Sequence, residues 1–434
     1  MNPSRPNILV LMTDQHRYDA LSCRGHPHVR TPHLDALVSR SVDFRSAYTQ
    51  APVCAPARYS LATGQYVASH GVRFNDVNPL GPIRTLAHLF RDEGYRCFQA
   101  GHMHWSSATT DTGYEPLISR EMWLESLPVQ WSERFRLEHE TPFVRTAMGG
   151  PSPLPESAFW GHFVARNVNR LIDEAVDGDE PFFCWASIYE PHPPFFPPVE
   201  AYAAHQQDSI SLPAQDPEDA APPELRQLDR RRKWEHLTDV EIRQMMAGYF
   251  GMVEVADRSA GAILQHLRDR GLLDNTWIIW TSDHGEQLFD HRLFLKFCMY
   301  EQSVHVPFCV SGPGISPGGR DELVEHVDLL PTLCDIAGIG IPQGAGGRSL
   351  EPLLHGRPAG GGWREAVFSQ INDLFMIRTR DWKLIVRDGI PVELYDLNAD
   401  PGEFENRLGD PTCAGIVDQL EAESRQHPGR RPRE

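Results

Sequence analysis

Four short apolar runs, each closing on polar and chemically able residues, constrain this chain more than any other feature. Asn7 to Met12 leads into Thr13-Asp14-Gln15-His16, and Tyr95 to Ala100 into Gly101-His102-Met103-His104. Pro181 to Ile188 leads to Glu190-Pro191-His192, and Trp277 to Trp280 to Thr281-Ser282-Asp283-His284-Gly285. The runs are continuous rather than alternating, the pattern of strands covered on both faces. Helical segments separate them. Thr85 to Glu93 reads as a short amphipathic helix. Thr238-Asp239-Val240-Glu241 is a capping box opening a long helix that Gly271 closes. Strands alternating with helices predict a doubly wound α/β domain. Ligands of such domains bind beyond the carboxyl ends of the strands, where all four polar segments lie.

Composition divides the 434-residue chain. Residues 1–345 read as the α/β domain, with irregular, proline-rich loops at about 120–180 and 201–236. Residues 346–434 begin rich in Gly and Pro. Short strands then follow at Ala366 to Ser369, Phe375 to Arg378, Lys383 to Val386 and Glu393 to Leu397, with a helix near Ala414 to Arg425. They predict a small antiparallel sheet as a C-terminal subdomain. Arg230-Arg231-Arg232-Lys233 reads as a solvated face, with a substrate or subunit contact as the alternative. The net charge of −18 disfavours nucleic acid or an anionic membrane as partner. No run reaches the roughly 18 apolar residues of a membrane span, and no signal-peptide pattern opens the chain. The cytoplasm is the expected compartment; a homo-oligomer stays open. None of the eight cysteines forms a Cys-x-x-Cys pair, and most read as small buried hydrophobes.

Cys54 is different. It precedes Ala55-Pro56-Ala57-Arg58, and Pro56 fits the first turn of a helix. Cys54 then sits at a helix N-terminus, where free N–H groups favour an anion. Arg58, one turn on, can reach back to the same place. Asp14 and Asp283 offer two anionic oxygens, Gln15 a neutral oxygen and His284 a nitrogen, a set suited to a divalent cation. On the residues alone, a structural and a reactive Cys54 both remain open.

The stretch Cys54 to Gly64 resembles the signature of formylglycine-dependent sulfatases of the alkaline phosphatase superfamily. Thr31 to Asp35, Gly271 to Thr276, Val327 to Leu333 and Leu394 to Glu403 are similar to that family as well. The resemblance implies an alkaline-phosphatase-like mixed sheet flanked by helices. It also implies that a formylglycine-generating enzyme oxidises Cys54 to 3-oxoalanine. One Ca²⁺ or Mn²⁺ would be held by Asp14, Gln15, Asp283, His284 and residue 54. The metal-bound hydrate would attack a small anionic sulfate ester, aryl or otherwise, giving a covalent sulfoenzyme and then alcohol plus inorganic sulfate.

Arg58 would orient the formylglycine, and Lys296 would hold a non-bridging oxygen. His192 or His104 would protonate the leaving group. His102 stands where the family carries lysine, so its stabilisation of the anion is weaker or pH-dependent. Gln15 stands where many members carry a second aspartate. Gln15 and Ala57 also resemble phosphonate monoester and phosphodiester hydrolases, which is the alternative activity. A non-catalytic metal-binding relative is a third reading. His291 reads as structural. Trp105, Trp123, Trp131, Trp160, Phe195 and Phe196 read as core or as an apolar pocket for the organic half of the substrate.

Overall fold

The computed structural model describes residues 5–133, 149–213, 237–358 and 362–427. Each of the four apolar runs is a strand. The main sheet contains β1 (Asn7–Asp14), β2 (Val42–Tyr48), β3 (Arg96–Gly101) and β4 (Leu117–Ile118). It also contains β5 (Phe182–Pro191), β6 (Thr276–Ser282), β7 (Phe308–Ser311) and β8 (Gly318–Glu325). Their order is β4-β3-β5-β1-β6-β7-β2-β8. β1 pairs in parallel with β5 on one side and β6 on the other. β7 runs antiparallel to both β6 and β2, which makes the sheet mixed.

Successive residues of β1 enter opposite cores, as the two-residue strand period requires. Leu9 and Leu11 pack with Val164, Val168 and Ile172 of helix Trp160–Asp177 and with Ala260 and Ile263 of helix Asp239–Asp269. Ile8, Val10 and Met12 pack with Leu61 and Ala62, Leu86 and Phe90, and Leu330 and Leu333. Both faces are covered, which explains the unbroken apolar runs. The capping box is present: Thr238 N donates to Glu241 Oε2 at 2.8 Å and Glu241 N to Thr238 Oγ1 at 3.3 Å. Gly271 takes the left-handed φ of +66° that ends the helix.

The reading of 120–180 as loop needs correction, because Trp160–Asp177 is a helix of 18 residues. Its apolar stripe (Val164, Val168, Leu171, Ile172, Ala175) was masked by the polar half of the same helix and by the prolines before it. Arg230 to Lys233 lies outside the described residues. Among the described residues, no helix is long and apolar enough to cross a membrane.

The second sheet is antiparallel, ordered β12-β11-β10-β9, from β9 (Ala366–Ile371), β10 (Leu374–Thr379), β11 (Trp382–Arg387) and β12 (Ile390–Asp396). Helix Ala414–Ser424 places Leu420 in its core. A buried cation pins this sheet to the first unit. Lys383 Nζ on β11 lies 2.6 Å from Glu301 Oε1 and 2.6 Å from Glu403 Oε1, and donates to the Met299 carbonyl at 3.0 Å. Lys383→Met leaves the fully buried Glu403 without its cation and Glu301 with only the more distant Arg378, 3.8 Å away. Urea unfolding is expected to show a loss of about 3–5 kcal/mol; a loss below about 1 kcal/mol, the scale of an exposed pair, contradicts this account of the docking.

Candidate active site

Parallel register decides where the site lies. Thr13 stands opposite Ser282 of β6, and Asp14 opposite Pro191 of β5. The next residues, Asp283 and His192, therefore emerge at one edge. Gly101 of β3 stands opposite Ser187 of β5, so His102 and His104 join the same edge. Gln15 turns the chain off the strand with a φ of 65°. Its backbone N donates to Asp283 Oδ1 at 3.0 Å, and His284 N donates to the same oxygen at 2.9 Å.

Helix α2 (Cys54–Thr63), which follows α1 (Pro32–Ser39), points its N-terminus at this edge, and all ten of its residues are buried. Pro56 removes one N–H from the first turn, and Asn75 Oδ1 accepts that of Ala55 at 2.9 Å. Cys54 Sγ lies 3.3 Å from His284 Nε2, 3.4 Å from Lys296 Nζ and 3.9 Å from Asp14 Oδ1. One turn on, Arg58 forks between the two strand ends. Its Nη2 is 2.6 Å from Asp14 Oδ2 and its Nε 2.9 Å from Asp283 Oδ2. Its Nη1 donates to Ser187 Oγ at 2.9 Å and to the His102 carbonyl.

Burial and the Asp283 carboxylate push the Asp14 carboxyl up to about 7, against the pull of Arg58 and Lys296. Burial opposes ionisation of Asp283 too, but the cations around it hold that group below the usual carboxylate range. Burial pulls His284 down to about 3. Its Nδ1 lies 3.0 Å from the Gly285 carbonyl, which places the proton there and turns the Nε2 lone pair toward residue 54. Donor atoms of Asp14, Cys54, Asp283 and His284 lie within 4.8 Å of one another, all buried. Two buried carboxylates sharing one arginine, beside an imidazole lone pair, fit a divalent cation. Gln15 Oε1 instead accepts from Lys296 Nζ.

A cavity of about 370 Å³ adjoins this cluster, lined in part by Asn75, His102, His104, Arg120, His192 and Lys296. Trp160 and Tyr189, stacked with ring centroids 5.1 Å apart, form one part of its apolar wall, and Leu295 and Phe297 another. Burial first, and then His104, hold the His102 imidazole well below its ordinary range; burial and Lys296 do the same to His192. His104 falls to about 3, mainly through burial.

Every residue singled out from the sequence for this site is at the one edge. His291 stands apart, stacked 4.0 Å from the Tyr300 ring. Among the aromatic residues, Trp160 reaches the cavity, and Trp123 and Phe196 line a smaller pocket behind it. Phe195 and Trp105 are packing residues against Tyr249 and Tyr59, and Trp131 packs against the Leu154 cluster. Sequence reasoning missed Asn75, Arg120, Ser187, Tyr189 and Glu286. Glu286 had a signal, its place directly after Asp283-His284-Gly285. Arg120, in a segment with no motif, had none.

Known proteins resemble this chain over most of its length. The sulfatase family model matches residues 6–339, and the model described as N-sulphoglucosamine sulphohydrolase, C-terminal, matches residues 289–428. Arylsulfatase K of Bos taurus is 30% identical, with 93% of this chain and 78% of that protein covered. An arylsulfatase of Clostridium perfringens is 27% identical over 96% of this chain and 93% of its own length. The crystal structure of a phosphonate monoester hydrolase of Agrobacterium radiobacter superposes with a TM-score of 0.84 at 26% identity, covering 98% of this chain and 96% of the other. The chain thus belongs to the sulfatase family of the alkaline phosphatase superfamily and is a sulfuric ester hydrolase.

Proposed function

We propose that this enzyme hydrolyses a sulfate monoester of an aryl or other small alcohol, using residue 54 after a formylglycine-generating enzyme has oxidised its cysteine. One observation carries the reading: Cys54 is wedged among Lys296, His284 and Asp14 beside a cavity whose lining, among the described residues, includes Lys296 and Arg120 and no carboxylate. In a chain of net charge −18, such a cavity selects an anion. Burial and Asp14 push the Cys54 thiol up to about 12, so the side chain as synthesised is a neutral thiol and a poor nucleophile. A hydrated aldehyde supplies what the thiol lacks: one hydroxyl attacks sulfur, and the other, losing its proton, expels sulfate and restores the aldehyde.

Asp14, Asp283, His284 and residue 54 would hold the divalent ion, which lowers the pKa of a bound oxygen and draws off ester charge. Arg58 keeps both carboxylates in place. Lys296 faces residue 54 and can hold a non-bridging ester oxygen. His102, His104 and His192 are neutral, so they offer N–H groups rather than full charge. That favours a leaving group needing little protonation, such as a phenol of pKa about 10. The stacked Trp160 and Tyr189 give an aryl group its wall.

Phosphonate monoester hydrolysis is the second reading. Gln15 favours it, as do neighbours titled phosphonate monoester hydrolase at TM-scores of 0.84 and 0.83. We expect kcat/KM for an aryl sulfate to exceed that for the matching aryl phosphonate; the reverse order moves the assignment to phosphonates.

Mass spectrometry of the peptide carrying residue 54, after co-expression with a maturase, is expected to show the loss from CH2SH to CHO. An unmodified thiol in fully active enzyme contradicts the proposal. Cys54→Ser is expected to turn over once and trap the sulfated adduct, so sustained turnover by that variant contradicts it equally. Calorimetry reports the ion: Mn²⁺ at about 100 times its Kd should add about 2.7 kcal/mol of stability. Asp14→Asn and Asp283→Asn should abolish most of that gain. An undiminished gain in both variants places the ion elsewhere.

A further inference from the structure

Glu286 is fully buried, three residues past Asp283, and the reaction outlined above gives it no part. Its Oε1 accepts the backbone N–H of Leu288 at 2.9 Å and of Leu295 at 2.5 Å. Its Oε2 accepts from Gln15 Nε2. On the far side of the same amide, Gln15 Oε1 accepts from Lys296 Nζ, which also meets Cys54 Sγ at 3.4 Å. Burial pushes the Glu286 carboxyl up, but all its neighbours named here are donors, and those hydrogen bonds favour the carboxylate.

The sense of the Gln15 amide follows from this arrangement alone. A carboxylate only accepts and an ammonium only donates. Between the two, the NH2 must face Glu286 and the oxygen must face Lys296. The Gln15 backbone is already fixed, its N on Asp283 Oδ1 at 3.0 Å and its O on Tyr249 Oη at 3.0 Å. Only the end of the side chain remains to be set.

The loop carrying Lys296 needs an external tie as well. Leu288, Phe289, His291, Arg292, Leu295 and Phe297 all have positive φ, between 46° and 84°. Non-glycine residues disfavour that region. Glu286 Oε1 grips the loop at Leu288 and Leu295, one residue before Lys296.

We infer that Glu286 is a positioning residue that ties the Lys296 loop to Gln15 and turns the Gln15 oxygen inward, toward Lys296 and the ion site. The inference rests on the proposed ion site only for its link to function. The hydrogen-bond relay itself is present without it.

Glu286→Gln tests it. The new NH2 meets the NH2 of Gln15, or, turned over, the N–H groups of Leu288 and Leu295, so a donor faces a donor either way. The exchange variant Gln15→Glu/Glu286→Gln restores complementarity at unchanged net charge, because the carboxylate at 15 accepts both from the new amide and from Lys296.

Two readouts apply. In metal-free protein, Glu286→Gln is expected to lower the urea midpoint and the exchange to recover most of the loss. In Mn²⁺ titrations of the unmodified Cys54 protein, Glu286→Gln should weaken binding by roughly 10–100-fold, the usual range for outer ligand partners, and the exchange should regain most of it. A purely structural Glu286 leaves the exchange with the midpoint of the single change, and with no Mn²⁺ affinity beyond what Gln15→Glu alone adds as a direct ligand. That result, or a Glu286→Gln midpoint equal to the parent's, overturns the inference. Failure of the sulfatase reading would appear separately, in the parent's own turnover of aryl sulfate.

Discussion

Asp14 and Asp283 are forced together by the parallel pairing of β1 with β6, and the rest of the site answers their repulsion. Neither side chain reaches solvent. Two like charges at this range in a low-dielectric setting cannot both ionise without a nearby cation. The chain supplies Arg58 from one turn inside α2, with both carboxylates on a single guanidinium. The same helix start then presents residue 54 to the pair. On the proposed reading, one helix thus delivers both the group to be activated and the cation that steadies the two carboxylates.

Charge elsewhere in the site follows the same economy. Burial holds the imidazoles of His102, His104, His192 and His284 below their ordinary range, so among the described residues of the site formal positive charge falls to Arg58, Lys296 and Arg120. Arg58 is spent on the carboxylates. Lys296 and Arg120 line the cavity, and on the proposed reading they favour an anion there. On the same reading His102 offers a hydrogen bond rather than a full charge, so Lys296 and an ion held by the strand ends would carry more of the ester's charge.

Most of this edge could be read from sequence because it is built from strand ends, and strand ends announce themselves. Asp14-Gln15, His102 to His104, His192 and Asp283-His284 each come just after an unbroken apolar run, and parallel register brings the residues past such runs to one edge. Helix starts are legible for the same local reason, as Pro56 and the Thr238 capping box show. The features that escaped were non-local. Asn75 caps α2 from 20 residues away, and Ser187 sits inside an apolar strand while bonding Arg58. Helix Trp160–Asp177, whose first residue walls the cavity, hid behind a mixed polar stripe. Lys383 looked like any strand lysine, yet its partners come from two segments distant in sequence.

An anomalous-difference map from crystals of maturase-treated enzyme grown with Mn²⁺ tests the central claim most directly. The account predicts one strong peak between Asp14, Asp283 and His284, with an oxygen of oxidised residue 54 as its neighbour. A peak away from these carboxylates, or a residue 54 side chain turned out of reach of the ion, would contradict it.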